Sequence, residues 1–168
     1  EFAYYIDTQA VQKGSMKVFD HRKISLNPGE SYVGTDNADQ ITGSKNNDTI
    51  LGKGGNDSLN GGQGDDLLKG ASGNDRLYGD NGNDRIIGGS GSNVLNGGAG
   101  RNTFVVGKGE DTIEDLNLNN DAIELSGNYQ IVALGSDSKI NFKKNDFSVV
   151  ILGITADELT NSDVIHKI

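Results

Sequence analysis

The sequence predicts an all-β fold in which thin two-stranded coils stack into a solenoid, and three observations carry that expectation. Nine consecutive nine-residue units fill residues 34–114 without insertion or deletion, in the shared frame Gly-x-x-Gly-x-Asp-x-(Leu/Ile)-x. Position eight is large and apolar in every unit: Ile41, Ile50, Leu59, Leu68, Leu77, Ile86, Leu95, Phe104 and Ile113. Hydrophobic residues make up only 33% of the chain while glycines number 25, so burial must come from stacking thin layers rather than from one globular core. Position six is Asp39, Asp48, Asp57, Asp66, Asp75, Asp84 and Asp111, with Asn93 and Asn102 in the seventh and eighth units. A flexible glycine-rich linker has no reason to hold an acid in frame.

Residues 1–33 precede the array. They hold three β-prone stretches, 2–6, 16–19 and 23–26, before the turn Asn27-Pro28-Gly29. This segment reads as an N-terminal β cap, because the first layer of a solenoid otherwise exposes an apolar face and unpaired strand edges. Within residues 34–114 the first six positions of each unit favour turns and the last three a short strand, so two units make one coil. Residues 115–168 are expected to close the other end. They carry strand candidates at 130–134, 139–142 and 147–152, the last being the most apolar run in the chain. Thr155-Ala156-Asp157-Glu158 has capping-box spacing and predicts a short helical turn through Leu159, followed by an amphipathic tail over 163–168.

The net charge of −9 is uneven: residues 1–33 set four acids against four bases, whereas 34–114 carry twelve acids and seven bases. An acidic surface argues against a nucleic-acid partner. It also argues against phosphate cradling by the glycines, since an Asp follows two residues after the position-four residue. With no cysteine there is neither a disulfide framework nor a thiolate metal site. No run approaches the ~18 apolar residues of a membrane span. The N-terminus has neither an initiating Met nor the profile of a cleaved signal. The chain is therefore expected to be a fragment or excised domain whose export signal, if any remains, is internal or C-terminal.

In a coil of two units, residues eighteen apart stack on one edge. Asp39, Asp57, Asp75, Asn93 and Asp111 form one column; Asp48, Asp66, Asp84 and Asn102 form the opposite one. Layers ~4.8 Å apart bring the carboxylates close enough to repel unless a cation sits between them. Carboxylates joined by inward-pointing turn carbonyls make an all-oxygen site, which suits Ca²⁺ with its six to eight oxygen ligands. Mg²⁺ demands a tighter octahedron and keeps its waters. Zinc wants His or Cys, and the repeats contain neither.

With this frame, clearest at 61–69 and 79–87, the chain closely resembles the RTX (repeats-in-toxin), hemolysin-type calcium-binding repeat family, whose signature is Gly-Gly-x-Gly-x-Asp-x-U-x. The likeness is strong over roughly 34–125 and weak through the C-terminal strands. It implies a right-handed parallel β-roll (β-solenoid) with β caps at both ends and several Ca²⁺ ions between stacked loops. Each ion would lie between a loop and the loop two units later, held by both position-six residues and by carbonyls from positions one to four. Carried onto this chain, the carbonyl candidates are Gly52, Gly54, Gly61, Gln63, Gly70, Ser72, Gly79, Asn81, Gly88 and Ser90. The fully acidic pairs Asp39/Asp57, Asp48/Asp66, Asp57/Asp75 and Asp66/Asp84 are expected to bind most tightly. Two departures bear on this. Asn37 and Asn46 replace Gly at position four, where Asn tolerates the left-handed region. Asn93 and Asn102 keep an oxygen ligand but lose a charge, which predicts weaker sites.

The family also implies a role. The chain is expected to be a calcium-dependent folding module of a larger exported toxin, adhesin or hydrolase. It would leave a bacterium unfolded through a type I secretion apparatus with an uncleaved C-terminal signal, and fold outside as a monomer. Catalysis is not expected: His-Glu-x-x-His and Gly-x-Ser-x-Gly are absent, and neither His21 nor His166 has an evident catalytic partner. The alternative is a module that binds an acidic polysaccharide or surface through a ridge of Lys45, Lys53, Lys69, Arg76, Arg85, Arg101 and Lys108, although such charges more often solvate a strand face. Tyr4 and Tyr5 fit cap core better than a sugar platform. The glycosylation-like Asn47-Asp48-Thr49 and Asn56-Asp57-Ser58 fall out of repeat composition.

Overall fold

The computed structural model describes residues 16–17, 23–25, 31–125, 129–142 and 148–167; the stretch at 2–6 and the turn at 27–29 lie outside them. Alternation at positions seven to nine sets the local structure. In β3 (Ser31–Val33), β4 (Gln40–Thr42), β10 (Val94–Asn96) and β11 (Thr103–Val105) the central residue is buried and its neighbours face outward. In the middle of the array the strands are longer than three residues: β5 (Thr49–Gly54), β6 (Ser58–Gln63), β7 (Leu67–Ser72), β8 (Arg76–Asn81) and β9 (Arg85–Ser90). The ladder there runs on into positions one to three of the next unit, pairing Lys53 with Ala71 and Gly54 with Ser72. The expectation of a strand confined to positions seven to nine therefore holds only towards the ends.

Successive strands alternate between two sheets. The first is parallel throughout: β1 (Met16–Lys17), β3, β5, β7, β9, β11, β13 (Ala122–Leu125) and β17 (Ile165–Lys167). The second runs β2 (Lys23–Ser25), β4, β6, β8, β10, β12 (Glu110–Ile113), β16 (Ser148–Ile151), β15 (Asp137–Phe142) and β14 (Tyr129–Leu134), turning antiparallel at β15. Central pairs such as Ile50↔Leu68 and Leu59↔Leu77 are eighteen residues apart, so the position-eight side chains stack in the space between the sheets. Ile50, Leu59, Leu68, Leu77, Ile86, Leu95, Phe104 and Ile113 are each 0% exposed.

The described strands before residue 34 extend the two sheets. Tyr32 occupies a position-eight slot opposite Ile50 and is 2% exposed. β1 and β2 continue the sheets in parallel, through Met16↔Tyr32 and Lys23↔Gln40. At the other end Ile123 fills the slot beyond Phe104 after a one-residue insertion. Leu125, Ile140, Val149, Ile151, Leu159 and Val164 then complete the core. The helix α1 (Ala156–Thr160) has both halves of the expected capping box: Thr155 accepts from the Glu158 N–H, and the Glu158 carboxylate accepts from the Thr155 N–H. Arg85 grips Glu124 with two hydrogen bonds of 3.0 and 2.6 Å, and Lys139 pairs with Glu110, tying the C-terminal strands to the array.

Candidate metal centre

The two columns form as the eighteen-residue spacing requires, and hydrogen bonds fix them. From Asp57 to Asp111 each position-six side chain offers Oδ1 to the backbone N–H of the residue eighteen earlier, whereas Asp39 Oδ1 is buried without a hydrogen bond. Asp39 N donates to Asp57 Oδ1 at 2.8 Å, Asp48 N to Asp66 Oδ1 at 2.7 Å, Asp57 N to Asp75 Oδ1 at 2.8 Å and Asp66 N to Asp84 Oδ1 at 2.8 Å. The carboxylates lie inside the turns: Asp57 and Asp66 are 3% exposed, Asp75 and Asp84 1%. Burying such groups is tolerable only when both oxygens find partners.

In these four residues the second oxygen has none. Oδ2 of Asp57, Asp66, Asp75 and Asp84 is buried without a hydrogen bond. What it faces explains the position-one glycine. A Cβ on Gly52 would lie 2.2 Å from Asp57 Oδ2 and 2.9 Å from the Gly70 carbonyl oxygen. The same cradle recurs at Gly61 (Asp66 Oδ2 and Gly79 O), Gly70 (Asp75 Oδ2 and Gly88 O) and Gly79 (Asp84 Oδ2 and Gly97 O). Each puts a carboxylate oxygen beside a carbonyl oxygen, two acceptors with no donor between them, in a space no side chain can share. Among the described residues no three acidic or histidine side chains converge, so a metal here would depend on backbone carbonyls for much of its shell. That donor set fits a hard, oxygen-seeking cation such as Ca²⁺.

Electrostatics agree. Burial pushes the Asp66 carboxyl up to about 7 against the lowering by the Asp48 N–H, with Asp84, Asp48 and Asp65 adding repulsion. Burial likewise raises Asp57 and Asp84 to about 6, and raises Asp75 and Asp111. Without a cation these groups resist ionisation.

The outer units differ. Asp39 Oδ2 accepts from the Thr35 N–H at 2.6 Å and the Thr35 hydroxyl at 3.0 Å. Asp48 Oδ2 accepts from the Ser44 N–H at 2.7 Å and the Ser44 hydroxyl at 2.9 Å. Asp111 Oδ2 accepts from Gly107 N at 3.1 Å. Asn93 and Asn102 use Oδ1 to accept from Asp75 N and Asp84 N, at 2.9 and 3.0 Å. That assigns the amides, and their nitrogens stand where the central units have Oδ2, near Gly88 and Gly97. In this arrangement the two asparagines turn an amide nitrogen, rather than the oxygen ligand expected of them, towards the cradle: Asn93 Nδ2 donates to Asp111 Oδ1 at 2.8 Å, and Asn102 Nδ2 is buried without a partner. Nor are Asn37 and Asn46 among the residues with positive φ.

Of the expected carbonyl donors, position one (Gly52, Gly61, Gly70, Gly79 and Gly88) faces the cradles, and Gly97 joins them. The position-three residues Gly54, Gln63, Ser72, Asn81 and Ser90 sit in the strand ladder instead. There the Asn81 and Ser90 carbonyls already accept from Gly64 N and Gly73 N. Two features escaped the repeat frame. Asp121, 6% exposed, extends the second column, accepting from Asn102 N at 2.7 Å and Asn117 N at 2.9 Å. Position five carries a second, exposed ladder in which Asn47, Asn56, Asp65, Asn74 and Asn83 each accept from the backbone N–H eighteen residues later. The basic residues form no single ridge: Arg76 lies in one sheet, Lys69 and Arg85 in the other, and Arg85 is paired to Glu124.

Residues 33–113 match the model of the RTX calcium-binding nonapeptide repeat in four overlapping copies, 33–68, 51–86, 60–95 and 78–113. No curated protein matches the chain. Among solved structures, the crystal structure of extracellular lipase LipA from Serratia marcescens is similar at a TM-score of 0.40 and 16% identity, over 85% of this chain and 42% of that one. The chain thus spans less than half the length of that lipase. The solution structure of the AlgE6R3 subunit from the Azotobacter vinelandii mannuronan C5-epimerase gives a TM-score of 0.47 and 24% identity, over 80% of each chain.

Proposed function

The repeat array, residues 33–113, belongs to the RTX calcium-binding nonapeptide repeat family, and from that premise we propose that the chain is a module whose folding is driven by Ca²⁺ outside the cell and which serves the export and folding of a larger protein. The observation that carries this reading is the set of four buried Oδ2 atoms, on Asp57, Asp66, Asp75 and Asp84, that have no hydrogen bond. Those carboxylates, with the Gly70, Gly79, Gly88 and Gly97 carbonyls, would hold the ions. The metal would supply charge compensation that nothing else in the turns provides.

One fully buried apolar residue per nine cannot offset the entropy of ordering the unit, so metal binding and folding are one event. Extracellular calcium modules bind at ~10⁻⁴–10⁻³ M, far above cytosolic calcium. A chain of this kind stays extended inside the cell, as passage through a type I secretion channel requires, and folds on arrival outside. Far-UV circular dichroism in millimolar Ca²⁺ and in EGTA tests the core of the proposal: a β signal that survives EGTA unchanged would refute it.

A further inference from the structure

Position two divides the loops into two kinds. In units three to eight it is left-handed: Lys53 (φ 80°), Gly62 (104°), Ala71 (79°), Asp80 (70°), Gly89 (100°) and Gly98 (80°). The preceding peptide is turned so that the position-one carbonyl faces the cradle. Thr35, Ser44 and Gly107 are not among the positive-φ residues, and each points its N–H at the position-six carboxylate instead. The Gly52 and Gly61 carbonyls still face the first two loops. What sets those loops apart is therefore the cradle-facing Oδ2, which in Asp39 and Asp48 already takes an N–H and a hydroxyl of its own loop, although the other oxygen of Asp39, Oδ1, is buried without a hydrogen bond. Beyond Asp84 the next position-six residues in both columns turn a carboxamide nitrogen to the cradle, a donor that a cation avoids.

We propose that this chain binds four calcium ions, one beside each of Asp57, Asp66, Asp75 and Asp84, and that its outer loops are closed without metal by Thr35 and Ser44 at one end and by Asn93 and Asn102 at the other. The proposal rests on the calcium reading above and adds to it a number, a boundary and the residues that draw it. Two ions lie on each edge of the solenoid, since Asp57 and Asp75 share one column and Asp66 and Asp84 the other. Position two acts as the selector: a left-handed residue opens a loop to metal when an Asp sits at position six, and a hydroxyl residue with ordinary φ closes it.

Native mass spectrometry and calorimetric titration in saturating Ca²⁺ test the count, with circular dichroism to confirm that each variant is folded. The wild-type chain is expected to hold four ions, Asp57→Asn or Asp66→Asn three, and Asp48→Asn or the pair Thr35→Val and Ser44→Ala still four. A wild-type count of five or more that falls on Asp39→Asn or Asp48→Asn overturns the boundary while leaving the proposed function standing. A chain that binds no calcium overturns the proposed function itself. Anomalous scattering from wild-type crystals grown in Ca²⁺ needs no variant. It is expected to place peaks beside the four central acids, and a peak beside Asp39, Asp48, Asn93 or Asn102 overturns the proposal.

Discussion

At Asp66 one carboxylate oxygen takes the Asp48 N–H and the other is held against glycine carbonyls with no donor; at Asp48, eighteen residues earlier in the same column, the corresponding oxygen takes both the N–H and the hydroxyl of Ser44. One frame thus yields two turns of opposite need. The central turn is short of positive charge, and the outer turn at Asp48 has its cradle-facing oxygen satisfied. The difference arises from one peptide plane, flipped by a left-handed residue at position two, rather than from the acid that both loops share. Stability without metal is therefore expected at the C-terminal end of the array, where the added core of Phe142, Leu159 and Val164 lies.

Calcium removal should separate the two regions most sharply. In EGTA, amide hydrogen exchange is expected to lose protection throughout 49–90, with any residual protection confined to the C-terminal strands. Equal protection along the chain would abolish the distinction.

Filling a central cradle ranks next. Gly70→Ala sets a methyl 2.2 Å from Asp75 Oδ2 and 2.7 Å from the Gly88 carbonyl oxygen. It should cost about 1–3 kcal/mol of stability in calcium from overpacking alone, and raise the calcium concentration at the folding midpoint at least several-fold. Gly135→Ala meets nothing within 4 Å and carries only the strain of φ 76°. Its calcium midpoint should stay put.

Acidity offers a third lever. In the metal-free fold Asp57, Asp66 and Asp84 have carboxyls raised from 3.8 to about 6, 7 and 6. A raised folded value means that the unfolded chain gives up its proton first. The metal-free fold is therefore at its best below about pH 4 and loses stability as pH rises through about 6–7. Circular dichroism in EGTA should show β structure growing as pH falls from 8 towards 4. In calcium the dependence reverses, because protons compete with the ion: the calcium midpoint should rise as pH drops below about 7. An EGTA titration that loses β structure on acidification would contradict the assignment of these acids as the strained ones.

The smallest effect concerns position two itself. Ala71 sits at φ 79° without glycine's freedom. Ala71→Gly should stabilise the calcium-loaded fold by up to about 1 kcal/mol, a rise of a few degrees in Tm. A drop in Tm would show that the left-handed conformation is not held there.

Much of this is legible in the sequence. Strict spacing of eighteen between like positions fixes both columns, and position eight fixes the core, because a strand buries alternate residues and a coil repeats its register. The capping box at Thr155 and Glu158 is equally local, and its spacing alone predicts it. Asp121 was hidden because one inserted residue broke the spacing, although an acid two residues before an apolar Ile123 was the available sign. Tyr32 was hidden because its unit lacks the glycines that mark the others.

Residue spacing therefore settled which side chains stack and which ion chemistry they suit. It was silent on the state of each carboxylate oxygen. That state depends on how a peptide plane turns at position two and on which end of Asn93 or Asn102 meets the backbone N–H eighteen residues earlier. Both are choices between hydrogen-bond partners in different layers, and they exist only once the layers are stacked.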